Sequence, residues 1–148
     1  MIKKNKNFSF KRPYVLVPLC VDFLHHGHIN ILLKAKKLGS VIVALMTDEG
    51  ILSYKKKKPF IEYKNRKKMI EQINCVSLVV KLKNLEFESI AKKYKVEFLV
   101  HGDDWKKGPQ KLARLKIIET MNKWKGKVID VPYTKKISSS YIKKKLIK

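Results

Sequence analysis

The sequence predicts an α/β protein with a Rossmann-like, doubly wound sheet of about five parallel strands and helices on both faces. Two patterns carry this. Short runs rich in Val, Ile and Leu alternate with amphipathic segments from Tyr14 onward, as buried parallel strands alternate with crossover helices. Every stretch dense in His, Asp or Ser follows one of those runs, where such a sheet opens a crevice at the carboxyl ends of its strands. With 148 residues, 45% of them hydrophobic, the chain can bury one real core.

Residues 1–12 are polar and basic and are expected to be flexible and frayed. Residues 13–148 form the predicted domain, without repeat or linker and with one low-complexity run, Lys55–Lys58. The first strand is Tyr14–Leu19. A helix near 28–38 follows, with Ile29, Leu32 and Leu33 on one face and Gly39 placed to cap its end. The second strand is Val41–Met46, followed by a loop and a helix near 63–74. Ser77–Lys81 is the third strand. Phe87, Ile90, Ala91 and Tyr94 recur at helical spacing over 86–94. Phe98–His101 is the fourth strand, and Ala113, Ile117, Met121 and Trp124 mark a helix over 111–124. Lys127–Val131 is the fifth strand, and a last helix begins near Ser139.

The formal net charge of +23 fits polyanionic ligands, or a lysine-rich compositional bias. The lysines are spread over all segments and do not form the single tract of a nucleic-acid arm, which leaves nucleic acid a minor prospect. Cys20 and Cys75 sit in apolar settings and read as buried free thiols. No close Cys/His spacing suggests a metal site. No run is apolar enough to span a membrane or form a signal-peptide core, so the chain is predicted to be cytoplasmic.

The densest chemistry lies in Asp22-Phe23-Leu24-His25-His26-Gly27-His28, where the first strand gives way to a helix. A helix start offers unpaired N–H groups and a positive dipole end, and so receives anions. Gly27 permits close approach of the backbone to a ligand. Two imidazoles beside that glycine suit phosphoryl oxygens on which charge develops. Ser138, Ser139 and Ser140 open the final helix, where hydroxyls both cap the helix and bind phosphate.

His25-His26-Gly27-His28 resembles the His-x-Gly-His motif of the nucleotidylyltransferase superfamily. Tyr63-Lys64-Asn65-Arg66 resembles the Tyr-x-x-Arg of its cytidylyltransferase branch. His101-Gly102-Asp103-Asp104-Trp105 is similar to the Gly-Asp-Asp-Trp of glycerol-3-phosphate cytidylyltransferases. Ile137-Ser138-Ser139-Ser140 is similar to the Ile-Ser-Thr-Thr near their carboxyl end. Tyr54-Lys55, Lys107-Gly108, Gln110, Trp124-Lys125-Gly126 and Pro132-Tyr133-Thr134 resemble the cytidylyltransferase-like domain joined to phosphoenolpyruvate mutase. The resemblance spans about Pro13 to Ile142.

The resemblance implies transfer of CMP from CTP to a small phosphorylated or phosphonate acceptor, with release of pyrophosphate. Mg²⁺ would accompany the triphosphate, and a homodimer is usual among such proteins. It assigns His25, His28, Lys55 and Arg66 to catalysis, with Lys55 on the loop after the second strand. It assigns Asp22, Gly27, Gly102, Asp103, Asp104, Ile137, Ser138, Ser139 and Ser140 to the nucleotide, and Trp105 to the acceptor pocket. Simpler roles compete: an ion pair with Glu62 for Arg66, a turn for Asp22, the core for Trp105. The chain departs from the family where Pro18-Leu19-Cys20-Val21-Asp22 lacks the turn glycine and where Tyr133-Thr134-Lys135-Lys136 replaces Arg-Thr-Glu-Gly. Adenylyl transfer on the same scaffold and a non-catalytic nucleic-acid-binding derivative are the alternatives.

Overall fold

Strand positions filled by Val, Ile and Leu leave two apolar sheet faces to cover. The structure, a computed structural model, describes residues 10–147. Among them, strands β1 (Tyr14–Leu19), β2 (Ser40–Met46), β3 (Val76–Leu82), β4 (Phe98–Gly102) and β5 (Lys127–Val131) form one parallel sheet in the order β3-β2-β1-β4-β5. The helices are α1 (His26–Leu38), α2 (Asp48–Lys55), α3 (Tyr63–Glu71), α4 (Glu88–Tyr94), α5 (Lys111–Asn122) and α6 (Ser139–Leu146).

Alternate strand residues serve alternate cores. Leu16, Ile42, Ala44 and Leu99 pack with Ala91 of α4 and with Ala113, Ile117 and Met121 of α5. Val15, Val17, Val43, Leu45 and Val100 pack with Leu32 and Ala35 of α1 and Ile70 of α3. The chain winds from β1 out to β3, then returns to place β4 on the other side of β1. The switch between β1 and β4 opens the crevice expected of such a sheet.

Three features differ from the expectation. The loop after β2 holds helix α2, so Lys55 ends a helix. Its signal is short: Thr47 caps by accepting the Gly50 N–H, and Asp48 and Glu49 occupy the first turn. Gly50 weakens the helical pattern, yet a Cβ there would lie 2.7 Å from the Lys83 carbonyl oxygen. Gly39 caps α1 as expected, its N–H donating to the Ala35 carbonyl, and it is small because a Cβ would meet the Pro13 carbonyl oxygen at 2.1 Å. Cys20 and Cys75, expected to be buried, are half-buried and form no disulfide among the described residues.

The third difference is at the amino end. Residues 10–12 are tied down: Arg12 donates to the Tyr94 and Lys95 carbonyls and to Glu97, and Phe10 stacks on Tyr14 at 4.4 Å between centroids. Residues 1–9 of the segment expected to fray lie outside the described residues.

Arg66 is fully buried and does not line the crevice. Its Nε donates to the Ile61 carbonyl at 2.8 Å, and its Nη1 to the Cys20 and Met46 carbonyls at 2.7 and 2.8 Å. Its Nη2 meets Asp48 at 2.6 Å, and not Glu62. The phosphate grip expected of Arg66 is therefore corrected: its donors are spent on carbonyls that would otherwise be left unpaired. Replacing Arg66 with Met should destabilise the fold by roughly 3–5 kcal/mol. Lys should rescue little, because an ammonium lacks the planar fork. Urea denaturation of the two variants checks this.

Candidate active site

The turn after β1 delivers the first histidine. Val21 takes φ 53, a left-handed conformation that is costly for a β-branched residue, in the turn where the family glycine is missing. His25 then caps α1, its Nδ1 accepting the Gly27 N–H at 3.1 Å. The His25 N–H in turn donates to Nδ1 of His28 at 3.2 Å, closing a reciprocal capping box built from imidazoles. The two rings lie 3.9 Å apart between centroids. Gly27 is required by this geometry: a Cβ would sit 2.8 Å from Cε1 of His25. What the glycine admits is the His25 ring.

The capping bonds set the tautomers. A backbone N–H can only donate, so each Nδ1 is an acceptor and each neutral ring carries its proton on Nε2. Burial, with the His25 and Lys55 charges adding, lowers the His28 pKa to about 3. His25 is lowered by burial and by His26. Both rings are thus neutral Nε2–H donors at physiological pH.

One cavity of about 270 Å³ gathers these groups at the switch point. Its wall includes His25, Gly27, His28, Lys55, Gly102, Asp104 and the run Ile137–Ser140. Imidazoles and serines that lie far apart in the chain therefore meet on one cavity. Ser138 caps α6 by accepting the Tyr141 N–H at 2.9 Å. Ser139 accepts from the Phe23 N–H at 3.2 Å and donates to the Phe23 carbonyl at 3.1 Å, locking α6 to the loop before α1.

Three further expected residues lie off the cavity wall. Asp22 is buried, accepts the Phe60 and Ile61 N–H groups at 3.0 Å each, and pairs with Lys143 of α6. Burial opposes its ionisation, but Lys143 and the two N–H groups outweigh burial and hold its pKa below the ordinary value. Asp22 thus organises the turn beneath the cavity and not its wall. Asp103 accepts the Tyr133 N–H at 3.0 Å and pins the segment between β5 and α6. Trp105 is 1% exposed, donates to Asp130 at 2.6 Å and packs on Phe87, so it belongs to the core.

Other wall residues had no role assigned from sequence. His101, at the end of β4, stacks on Trp105 at 4.0 Å between centroids and donates from Nδ1 to the Gly102 carbonyl at 2.8 Å. Burial lowers its pKa against the raising effects of Gly102, Asp104 and Gln110. Tyr54, beside Lys55 on α2, contacts Cys20 Sγ at 3.1 Å. Burial, then Cys20, raise its pKa. Position at a strand's carboxyl end was the available signal for His101, and adjacency to Lys55 for Tyr54.

The chain is similar to known proteins. The chain belongs to the Cytidylyltransferase-like family, which it matches over residues 20–145. It is 38% identical over 87 residues to the glycerol-3-phosphate cytidylyltransferase of Bacillus spizizenii, covering 57% of this chain and 67% of that one. It is 29% identical over 130 residues to the bifunctional protein HldE of Desulfatibacillum aliphaticivorans, covering 86% of this chain but only 26% of that one. It is 37% identical over 86 residues to the Staphylococcus aureus glycerol-3-phosphate cytidylyltransferase, 57% of this chain and 64% of that one. The chain thus spans about a quarter and just under two thirds of these last two relatives. A solved lipopolysaccharide core biosynthesis protein from Thermoplasma volcanium GSS1 shares the fold, with TM-score 0.66 and 22% identity over 84% of this chain and 98% of that one. No helix among the described residues is long and apolar enough to cross a membrane.

The tautomer assignment is directly measurable. Imidazole NMR should show Nε2–H for His25 and His28, and no titration of His28 near the ordinary 6.5. The folded form resists protonation while the unfolded chain accepts it. Stability from His28 is therefore complete above pH 6.5 and is lost as pH falls toward about 3. Replacing His28 with Gln should flatten that acid limb of the stability curve.

Proposed function

We propose that this chain transfers CMP from CTP to a small phosphorylated or phosphonate acceptor, such as glycerol 3-phosphate, releasing pyrophosphate. The observation that carries this is the meeting of two neutral Nε2–H donors with the serine-capped start of α6 on one cavity. An acceptor oxygen attacks the α-phosphorus in line. A new P–O bond forms as the bond to pyrophosphate breaks, and the leaving group takes the electron pair. The two imidazoles donate to phosphoryl oxygens as charge builds there, and the Ser138–Ser140 turn receives the leaving phosphates. Lys55 adds a cation on the same wall. Most of the work is positioning and charge stabilisation, so no covalent nucleophile is required.

Mg²⁺ fits as a companion of the triphosphate. Among the described residues no group of three or more His, Cys, Asp or Glu side chains is placed to hold a cation, and Asp104 is the one carboxylate on the cavity wall. Bound there, the cation would be carried mostly by phosphate and water, and would neutralise charge on the leaving group.

Adenylyl transfer is the second reading, favoured by a 30% identity over 95 residues to the FAD synthase of Korarchaeum cryptofilum. A pyrophosphate-release screen separates the readings. CTP and ATP are each offered with glycerol 3-phosphate, phosphocholine and 2-aminoethylphosphonate. Turnover of CTP with one acceptor is expected, and preference for ATP would move the assignment to adenylyl transfer. Release with neither nucleotide would end both readings. His28→Ala should lower kcat by roughly 10²–10³-fold in the productive pair.

A further inference from the structure

We propose that the ring of Tyr133 is the stacking face for the nucleobase of the bound nucleotide. The inference rests on the cavity being a nucleotide site and adds where the base lies. Tyr133 begins the strap between β5 and α6. The strap is held at three points. The Tyr133 N–H donates to Asp103, just after β4, at 3.0 Å. The Tyr133 hydroxyl donates to the Ile137 carbonyl, just before α6, at 3.2 Å. Asn30 of α1 donates to Thr134 at 3.3 Å.

The backbone N–H and the phenol of Tyr133 are therefore both engaged, and the ring is fixed before any ligand arrives. That ring lines the cavity with His25, His28 and the serines, yet remains 44% exposed. A fixed, half-open aromatic ring on a phosphate-binding cavity offers a π face and little hydrogen-bonding capacity of its own.

This placement leaves a separate side of the crevice for the acceptor. Phosphates seated at the starts of α1 and α6 leave two directions along the crevice. One runs toward β2 and β3, where Tyr54, Leu82 and Leu85 line the wall. The other runs toward β4 and β5, where Tyr133 bridges Asp103 and Ile137. A nucleobase stacked on Tyr133 occupies the second and leaves the first to the acceptor. Because every base has a π face, this contact supplies affinity without choosing between bases.

Isothermal titration of native protein and of Tyr133→Leu and Tyr133→Phe with CTP, ATP and inorganic tripolyphosphate tests this. Leu keeps apolar bulk but removes the π face; Phe keeps the face and removes only the bond to Ile137. Leu should weaken CTP and ATP alike by about tenfold, leave tripolyphosphate unchanged, and be rescued by Phe. Tyr133→Trp should give fluorescence quenched by CTP and not by tripolyphosphate. If native protein binds CTP and the Leu variant binds it equally well, the stacking role is overturned while the nucleotide site stands. Equal losses for tripolyphosphate would reassign Tyr133 to shaping the strap, and a loss confined to the acceptor's KM would put the acceptor on this side. If the native protein binds no nucleoside triphosphate, the reading of the site falls and the platform falls with it.

Discussion

The ends of β1 and β2 present carbonyls that the sheet no longer pairs, and a single buried guanidinium answers them. Arg66 reaches Cys20 after β1, Met46 at the end of β2, Ile61 ahead of α3 and Asp48 of α2. The network continues from there. The segment holding Ile61 is clamped by Asp22, and Asp22 pairs with Lys143 of α6. The helix that begins with the serines is thus registered against β1 through a chain of ionic hydrogen bonds beneath the crevice. In a buried setting such bonds are costly to break singly, which makes them suited to fixing loops that no sheet hydrogen bond constrains. The cavity wall depends on this understructure although none of its charged members faces the cavity.

The same economy of groups shapes the histidines. An N-cap is ordinarily Ser, Thr, Asp or Asn, whose side-chain oxygen accepts the N–H of the first turn. Here His25 accepts the first-turn Gly27 N–H and His28 accepts the N–H of the cap residue itself, each with Nδ1. Capping and chemistry are therefore not competing roles for the pair: the capping bond orients each ring and dictates which nitrogen carries the proton. Gly27 belongs to the same device, since any side chain there would displace the ring that it accommodates.

Strand identity, order of elements and the convergence of motifs were legible because buried parallel strands write continuous apolar runs and a doubly wound sheet fixes where their ends open. The roles of Arg66 and Asp103 were not, and for Asp22 and Trp105 the turn and the core stood only as rivals to the site. A motif marks a residue as constrained but does not say whether it meets a ligand or holds the residue that does. Trp105 follows a strand as a pocket wall would, and only its burial and its bond to Asp130 reveal the core. Helix α2 was hidden by its eight residues and the internal Gly50, which tertiary contact with Lys83 demands. Tyr133 was read as a lost arginine, because a sequence shows substitution at a position and not the ring fixed there.

Charge on this protein is distributed unlike charge at its crevice. The whole chain carries +23, yet the cavity wall holds one lysine and one aspartate beside histidines whose pKa values are lowered. A highly charged anion drawn in by the global field therefore meets, at the wall, mainly neutral donors: imidazole Nε2–H, serine hydroxyls and the amides that open α6. The two contributions respond differently to salt. Long-range attraction is screened beyond a Debye length of about 8 Å at physiological ionic strength, whereas hydrogen bonds inside the cavity are screened far less. The surplus lysines thus act on encounter, and the neutral donors on the bound state. Such donors also keep their protons as charge moves from the α-phosphate to the leaving group. They stabilise the developing charge by fixed orientation, without a proton transfer of their own, which is the form of stabilisation a preformed site delivers most efficiently.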